Sequence, residues 1–401
     1  MIEIIMRYDF NEILDRRHLS SKKWEGEIDR LNDPSLLCLG TAEMDFRSAP
    51  PIVRALEEIA RSGYFGYPYK RDSYYEATIG FLARRFGWTV KREWIHSHVG
   101  IYPSIQPLIE ELTEPGDEIL YQTPVHSIFQ EIIESAGRRA IPNPLVTRSH
   151  RYEIDFDGLE KAITAKTRML LFCSPHNPVG RVWTKTELEQ LNAIVLRHKI
   201  VVVSDEVYCG LIYPGQRHIP LASLSKEASL NTVTLISASK SFNTTGLKHS
   251  LVIAENPDLQ SAFRQGMKRG NLYFASSIFG EAATEAAFRD CDDWSAELMR
   301  YVEANFRFLK DFLAHRIPAV QATEPEGGYF AWLDFSNLGL TVDGLKQLFE
   351  FDARVVVSMG EPMGPGGTGH VRINLGCPKI ILEQALERIA AACSKLKDMQ
   401  T

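Results

Sequence analysis

The stretch 169–240 decides the fold, because it contains three short and predominantly apolar runs, MLLFC (169–173), IVVVS (200–204) and VTLIS (233–237). Similar runs occur at Glu118–Tyr121 and Leu251–Ala254, and helical patterns separate all five runs. This alternation is typical of a parallel α/β sheet. Because the runs are predominantly apolar along their length, we expect strands that are buried on both faces of the sheet.

The alternation of short apolar runs with helical patterns ends at about residue 290. Apolar residues at helical spacing from Trp294 to Phe312 predict a long amphipathic helix, and a final helix is predicted over Ile381–Leu396. The alternation in Tyr329–Asp334 and His370–Leu375 predicts strands with one solvated face. We therefore expect an α/β chain with two domains. The large domain has a mostly parallel sheet flanked by helices, and the second is a smaller α+β domain.

Composition and charge exclude several classes of protein. The chain has 401 residues, of which 44% are hydrophobic and 24% charged, and this excludes a disordered, collagen-like or coiled-coil protein. The formal net charge is −6 and no basic run occurs, so we expect no nucleic-acid or membrane partner. The apolar runs are too short for a membrane helix, and the six cysteines form no C-x-x-C pair. We expect a soluble cytoplasmic protein.

Three polar side chains follow the three apolar runs of the deciding stretch: Asn177, Asp205 and Lys240. Ligands of open parallel sheets bind beyond the carboxyl ends of the strands, so we expect these side chains to converge at one edge of the sheet. Tyr208 lies one helical turn after Asp205 and joins them. A lysine amine, a carboxylate, an amide and a phenol in one crevice are the groups that pyridoxal 5'-phosphate requires.

Each of these groups has a predicted role. Lys240 is the amine that attaches to the cofactor aldehyde and, once the substrate has displaced it, the general base that removes the Cα proton. Asp205 keeps the ring nitrogen protonated, while Asn177 and Tyr208 donate hydrogen bonds to the phenolic oxygen. Arg372 is the natural bidentate partner of a substrate carboxylate, although a strand arginine pairs equally often with a surface acid. Singly, the other residues are more often a solvated lysine, a helix cap or a turn.

The phosphate of this cofactor needs backbone N–H donors at a helix start together with a cation. The segment 99–104 runs into a helix predicted over Ile105–Leu112, and two polar residues flank the strand that carries the lysine. The predicted phosphate ligands are therefore the backbone N–H groups of Gly100, Ile101 and Tyr102, the hydroxyl of Ser237 and the charge of Lys248.

Two other motifs are rejected as functional sites. The G-x-G-x-x-G pattern at 364–369 matches the dinucleotide fingerprint, but it precedes a predicted strand instead of opening a helix. We expect a glycine-rich hairpin or a mobile loop there. His96 and His98 have no third ligand nearby in the sequence, so no metal site is predicted.

These segments also resemble a known family, the fold-type I pyridoxal-phosphate enzymes, and within it the MalY/PatB group of carbon–sulfur β-lyases. Four motifs carry the likeness to the superfamily: SPHNPVGRVW (174–183), SDE (204–206), SASKSFN (237–243) and VRINLGCP (371–378). Four more indicate the subgroup: YDF (8–10), KW (23–24), AEMDF (42–46) and FGY (65–67). The resemblance covers essentially the whole chain.

The resemblance implies a domain organisation and an assembly. The large domain is expected at residues 47–290, and the small domain at residues 1–46 together with 291–401. A homodimer with shared active sites is expected, in which Tyr67 reaches the cofactor phosphate of the neighbouring subunit.

Three positions depart from the pattern of the subgroup. His126 stands where the family usually has a tyrosine, so the resemblance implies that an imidazole stacks on the cofactor ring. Tyr208 and Lys248 look more like residues of ordinary aminotransferases.

The sequence therefore leaves three functions open. The resemblance favours a carbon–sulfur β-lyase of the cystathionine or cysteine-S-conjugate type, which gives pyruvate, ammonia and a thiol. Tyr208 and Lys248 favour an aminotransferase of an α-amino acid as the alternative. A cofactor-binding regulator with little turnover is the third possibility, and the full set of catalytic groups argues against it.

Overall fold

The computed structural model describes residues 7–16, 18–148, 151–272 and 274–400, apart from the side chains of residues 397–400. Its α-helices are α1 Glu25–Leu31, α2 Pro50–Ser62, α3 Asp72–Phe86, α4 Ile101–Leu112, α5 Ile128–Ser135, α6 Phe156–Ala162, α7 Lys185–Arg197, α8 Lys226–Asn231, α9 Ala238–Ser241, α10 Pro257–Arg269, α11 Ile278–Asp290, α12 Asp292–Arg316, α13 Val342–Gln347 and α14 Lys379–Gln400.

The strands are β1 Leu37–Cys38, β2 Ile95–His98, β3 Glu118–Thr123, β4 Arg139–Pro144, β5 Val146–Arg148, β6 Arg151–Glu153, β7 Thr167–Cys173, β8 Val201–Asp205, β9 Thr232–Ile236, β10 Ser250–Ile253, β11 Gln321–Ala322, β12 Phe330–Asp334, β13 Val355–Val356, β14 Ser358–Met359 and β15 His370–Asn374. Short 3₁₀ turns cover Arg92–Trp94, Leu221–Ser223, Thr245–Leu247, Ser336–Leu338 and Glu361–Met363, and a π-helical turn covers Leu348–Ala353.

A seven-stranded sheet forms the centre of the molecule, with the strand order β2–β10–β9–β8–β7–β3–β4. The strands from β9 to β4 run parallel, whereas β10 is antiparallel to both of its neighbours. All five apolar runs of the sequence are strands of this sheet, so the predicted mostly parallel α/β fold is confirmed. The sequence did not predict the edge strands β2 and β4, which have polar or proline-containing sequences.

A second sheet is built from the C-terminal part of the chain, with the antiparallel order β11–β12–β15–β14. Beside it, the N-terminal β1 pairs in parallel with β13, so segments from both ends of the chain share one region. The division into a large domain and a small domain, which the resemblance implied, stays a prediction. The boundaries at residues 46 and 290 stay a prediction, and residues 1–6 lie outside the described residues.

The prediction that the strands at 329–334 and 370–375 have one solvated face is wrong. Val371 and Ile373 are fully buried on one face of β15 and join the main apolar core. On the other face Trp332 donates a hydrogen bond to the Tyr152 hydroxyl at 3.0 Å, and Arg372 is 3% exposed. Because the strand pair lies between the main apolar core on one side and the segment of Tyr152 on the other, neither face meets water.

The long helix and the final helix that the sequence predicted are both present. The Thr184 hydroxyl accepts from the backbone N–H of Glu187, and the Glu187 carboxylate accepts from the N–H of Thr184, so a capping box begins α7. The long amphipathic helix is α12, and the final helix is α14. Within the described ranges, no helix combines the length and the apolar character needed to cross a membrane.

Candidate active site

The strands that carry the predicted site residues are neighbours. β7, β8 and β9 pair in parallel, with Cys173 opposite Asp205 and Asp205 opposite Leu235. The carboxyl ends of the three strands therefore lie side by side, and Asn177, Asp205 and Lys240 follow them. The structure brings the three residues to one edge of the sheet, as the sequence predicted.

Lys240 lies in the short helix α9, directly after β9. Its Nζ atom donates a hydrogen bond to the backbone carbonyl of Ala42 at 2.7 Å. Burial and the positive charge of Arg372 lower the pKa of Lys240 to about 8, although Glu43 and Asp205 act in the opposite direction. A lysine in this environment is neutral for a substantial fraction of the time near pH 8, and a general base must be neutral.

Asp205 is buried at the end of β8. Its Oδ1 atom accepts a hydrogen bond from the backbone N–H of Val207 at 3.1 Å. Burial raises the pKa of Asp205 to about 7, although the Val207 N–H and the charge of Lys240 both favour the carboxylate. A buried carboxylate of this kind needs a further positive partner to stay ionised, and a protonated ring nitrogen is such a partner.

Arg372 joins the same crevice from β15. Its Nη1 atom donates to Oδ1 of Asn177 at 2.9 Å, and its Nη2 atom donates to the Gly40 carbonyl at 3.1 Å and to the Ser358 hydroxyl at 2.9 Å. The guanidinium lies 4.1 Å from the centre of the Phe330 ring. Its Nε atom is buried without a hydrogen-bond partner. Arg372 is therefore a buried cation inside the site, and the alternative of a surface ion pair is wrong.

Aromatic side chains line one side of the crevice. The Tyr208 ring lies 5.9 Å from the Tyr329 ring and 5.7 Å from the Phe330 ring. Burial raises the pKa of Tyr208 well above its ordinary value, so its hydroxyl stays protonated and can donate. Tyr329 donates its own hydroxyl to the Ala42 carbonyl at 3.0 Å, the same oxygen that Lys240 contacts.

The predicted phosphate-binding helix is present, but it begins earlier than expected. α4 starts at Ile101 with Gly100 as the N-cap, whereas the sequence placed the regular helix at 105–112. The first N–H groups of a helix have no intrahelical acceptor. The backbone of Gly100, Ile101 and Tyr102 therefore lies at a helix N-terminus, where an anion is stabilised.

His126 lies beside this helix. Its ring centre is 5.8 Å from that of Tyr102, with the planes tilted by 34°. Burial, together with the positive charges of Arg372 and Lys240, lowers the pKa of His126 to about 4. The imidazole is thus neutral at pH 7. Its stacking on a cofactor ring stays a prediction.

Three further residues were predicted to bind the cofactor phosphate, and in a single chain they are placed less favourably for that role. The Ser237 hydroxyl caps α9 and donates its proton to the His249 carbonyl at 2.6 Å, so a bond to phosphate requires it to leave that partner. Lys248 is exposed and has a left-handed φ of 53°. Tyr67 is 88% exposed. The phosphate roles of all three residues stay predictions.

The two motifs that the sequence rejected have structural surroundings of their own. The glycines of 364–369 connect the antiparallel strands β14 and β15, so the predicted hairpin is confirmed. His98 contacts the Ser104 hydroxyl at 3.1 Å, and the rings of His96 and His98 lie about 6 Å from Phe263. Among the described residues, no group of three or more His, Cys, Asp or Glu side chains is arranged to hold a metal ion.

Sequence reasoning missed the backbone segment 40–43 and the side chains of Tyr329 and Phe330. The carbonyls of Gly40 and Ala42 contact Arg372 and Lys240. A backbone acceptor leaves no signature in a sequence. The only signal was the AEMDF motif at 42–46, which entered through the family resemblance alone.

The residues present fit pyridoxal phosphate. A lysine amine of lowered pKa lies near a buried carboxylate that needs a positive partner, and a helix N-terminus lies beside them. Arg372 adds a buried guanidinium with an unpartnered Nε atom, which suits a carboxylate. This set supplies an amine, a partner for the ring nitrogen, an anion site and a substrate clamp.

Comparisons with known proteins agree with this geometry. A family model described as aminotransferase class I and II matches residues 34–389. The chain is 35% identical over 392 residues to cystathionine beta-lyase PatB of Bacillus subtilis, covering 97% of this chain and 100% of that protein.

Two solved structures are similar over nearly their whole length. Cystalysin of Treponema denticola, solved with pyridoxal 5'-phosphate, has a TM-score of 0.94 at 31% identity and covers 98% of this chain and 100% of its own. The pyridoxal-phosphate-bound C-S lyase of Staphylococcus hominis has a TM-score of 0.89 at 29% identity and covers 97% of this chain and 98% of its own. The chain therefore belongs to the aminotransferase class I and II family, with similarity to its carbon–sulfur lyases, as the sequence motifs predicted.

Proposed function

We propose that this protein is a pyridoxal-phosphate-dependent carbon–sulfur β-lyase that releases pyruvate, ammonia and a thiol from a sulfur amino acid. The observation that carries the proposal is the convergence of Lys240, Asp205 and Arg372 in one crevice. The chain that holds them is similar over its whole length to cystathionine beta-lyase PatB.

Lys240 performs the proton transfer. When bound, pyridoxal phosphate supplies an electron sink that stabilises negative charge at the substrate Cα. The amine of Lys240 takes the Cα proton, and its pKa of about 8 makes the neutral base available close to physiological pH. The electron pair left at Cα forms the double bond to Cβ, and the thiolate leaves Cβ with the electrons of the C–S bond.

Other side chains orient the reacting groups. Arg372 holds the substrate carboxylate, and its contact with Asn177 ties the substrate clamp to the residue that faces the cofactor oxygen. Asp205 supplies the negative charge that keeps the ring nitrogen protonated. The N-terminus of α4, with Ser237 and Lys248, binds the phosphate.

The active unit is a homodimer, in which Tyr67 reaches the phosphate of the neighbouring cofactor. Its support is a group of exposed aromatic side chains on one part of the chain, which we call the aromatic surface: Tyr64, Phe65, Tyr67, Tyr69 and Phe274. Aromatic rings as exposed as these are typical of a protein–protein contact surface, because the exposure of a large apolar patch to water is unfavourable. A cytoplasmic location belongs to the same proposal and is supported by the scattered cysteines of the sequence.

Product analysis tests the proposed reaction. The purified protein with pyridoxal phosphate is incubated with L-cystathionine and with S-alkyl cysteines, and pyruvate and thiol are measured. We expect both products in equal amounts. The Lys240→Ala variant is expected to lose at least about 100-fold in rate, because the general base is absent. Lys185→Ala, which removes a lysine that is 68% exposed, serves as the matched control. Absence of pyruvate and thiol with every substrate rejects the proposal.

An aminotransferase is the second candidate, favoured by Tyr208 in the cofactor crevice and by Lys248 after the lysine strand. It shares the Cα deprotonation by Lys240 but returns the proton to the cofactor side. Formation of a 2-oxo acid from an amino acid without a Cβ leaving group, in the presence of an acceptor oxo acid, identifies it. Negligible rates in both assays, with a protein partner that co-purifies, identify a regulator instead.

A further inference from the structure

Lys23 is an unusual charged residue outside the active site. Its side chain is fully buried, whereas lysines are almost never fully buried without a partner. The Nζ atom donates to Oδ1 of Asp45 at 2.8 Å and to the Glu43 carbonyl at 3.0 Å. Asp45 also pairs with Arg16. The cost of burying this ion pair is large, so its contacts point to a specific positional role.

The segment that Lys23 holds touches the active site through its carbonyl oxygens. The Ala42 carbonyl accepts from Lys240 at 2.7 Å, and the Gly40 carbonyl accepts from Arg372 at 3.1 Å. These are the proposed general base and the proposed substrate clamp. The carbonyls of Thr41 and Glu43 alternate with those of Gly40 and Ala42, and they accept hydrogen bonds from a different partner.

That partner is Asn374 of β15, which is also fully buried. Its Nδ2 atom donates to the Thr41 carbonyl at 2.8 Å and to the Glu43 carbonyl at 2.7 Å. Lys23 and Asn374 thus share the Glu43 carbonyl, and between them they fix the segment on the side away from the active site. Four successive carbonyls are held by buried side chains.

We infer that Lys23 and Asn374 are positioning residues, which fix the backbone segment 40–43 so that the Ala42 carbonyl orients the amine of Lys240. A carbonyl acceptor at this place stabilises the amine in its charged form and holds it toward the crevice. The inference rests on the proposed function only for the identity of Lys240 as the reacting amine. Neither positioning residue touches the cofactor site itself.

The test measures the ionisation of Lys240 directly. Full-length protein prepared without cofactor is labelled with acetic anhydride across a range of pH, and mass spectrometry gives the labelled fraction of residue 240. The charged and titratable groups facing Lys240 are Arg372, Glu43, Asp205, Lys248 and His126. They are unchanged in every variant. We expect a labelling midpoint near pH 8 for the unaltered protein.

Two variants remove the two anchors separately. The double variant Lys23→Met with Asp45→Asn removes the buried ion pair without changing the net charge. Asn374→Ala removes the amide that bridges two carbonyls. In both variants the segment 40–43 loses one of its anchors. The Tyr329 hydroxyl still donates to the Ala42 carbonyl, but the carbonyl is held less firmly, so the charged form of Lys240 is less stabilised. We expect the labelling midpoint to fall by about one pH unit, the value of one hydrogen bond to a charged group.

Asn305→Ala is the matched control. Asn305 is equally buried and also bridges two carbonyls, those of Leu375 and Cys377, but it does not touch the segment 40–43. Its labelling midpoint is expected to stay with that of the unaltered protein. If the labelling midpoint of Asn305→Ala falls as far as the midpoints of the two test variants, the cause is a general loss of packing, and the inference is overturned.

The remaining outcomes are also decisive. If the ion-pair variant fails to fold, as judged by circular dichroism, Asn374→Ala carries the test alone. Folded variants whose midpoints equal that of the unaltered protein overturn the inference. Because labelling needs no turnover, this result is independent of the assay for lyase activity. If the lyase assay shows no β-lyase activity, the expected labelling midpoints stay the same.

Discussion

Lys240 illustrates how a reactive group is made at the expense of stability. Burial and the charge of Arg372 lower its pKa from the ordinary 10.5 to about 8, so the folded protein disfavours the ammonium form that water favours. The same environment makes the neutral amine available for the proposed proton transfer. Active-site residues of this kind often lower the stability of the protein that carries them.

The first prediction follows from this conflict. Without cofactor, Lys240→Met is expected to be more stable than the unaltered protein at pH 7, by about 1–3 kcal/mol after allowance for partial exposure and for the lost hydrogen bond to Ala42. Below pH 8 the unaltered amine is charged in both the folded and the unfolded state, so the penalty is complete. Above pH 10.5 it is neutral in both states and the penalty is absent.

The advantage of the variant should therefore shrink as the pH rises from 8 to 10.5. Urea unfolding at pH 7 and pH 10.5 measures it, with Lys185→Met as the control for a lysine-to-methionine change at an exposed position. An advantage that stays constant over this range would show that the pKa of Lys240 is not lowered by folding.

Arg181 connects two elements that supply residues to the site. It lies in the loop between β7 and α7, four residues after Asn177. The fully buried guanidinium donates to Glu187 at 2.8 and 3.0 Å and to Glu326 at 2.8 Å. Glu326 lies just before Tyr329, in the segment that leads into β12. The ion pair therefore ties the loop of the large sheet to the strand of the small one.

The second prediction concerns this connection. Arg181→Met is expected to lower the free energy of unfolding by about 3–5 kcal/mol, because two carboxylates lose the guanidinium that compensates their burial. Equilibrium unfolding in urea measures the change. Arg197→Met, in the same α7 region but with a side chain that is 55% exposed, is expected to cost less than about 1 kcal/mol. Equal losses in both variants would refute the proposed role of Arg181.

Elements were predictable where local patterns decide them. The buried runs at 169–173, 200–204 and 233–237 form adjacent parallel strands. Short runs of mostly apolar residues are typical of strands that are buried on both faces of a parallel sheet. β2 and β4 were not predictable, since His96, His98 and two prolines do not form an apolar pattern. Their place at the two edges of the sheet explains why such sequences are tolerated.

The aromatic surface is the main feature at the scale of the whole molecule. Tyr67 and Tyr69 are 88% and 83% exposed, and Phe274 is 78% exposed, with its ring 6.2 Å from that of Tyr67. The third prediction is a dimer, with a sedimentation mass of about twice the 45.4 kDa of one chain. Association buries these rings and makes the assembly favourable.

Substitution locates the dimer contact. Phe65→Ser combined with Phe274→Ser is expected to raise the dissociation constant at least about 100-fold, because each large buried ring contributes more than 1 kcal/mol. Phe351→Ser, which replaces a phenylalanine that is 53% exposed elsewhere on the chain, is the control. A monomeric unaltered protein, or dissociation caused only by Phe351→Ser, would contradict this location.

Long-range contacts limited what the sequence revealed about the site. Lys240, Asp205 and Asn177 were predictable because each follows a strand of one parallel sheet. Arg372 was predictable as an arginine in a strand, but its contact with Asn177, 195 positions away, was not. The backbone acceptors at Gly40 and Ala42 carry no side-chain signal at all.

The most direct measurement for the central claim is the site of cofactor attachment. The protein is loaded with pyridoxal phosphate and reduced with borohydride, and the modified peptide is identified by mass spectrometry. The account predicts one stable pyridoxyl adduct, on Lys240, and its loss in Lys240→Ala. An adduct on Lys248 or another lysine, or an adduct that persists in Lys240→Ala, would contradict it.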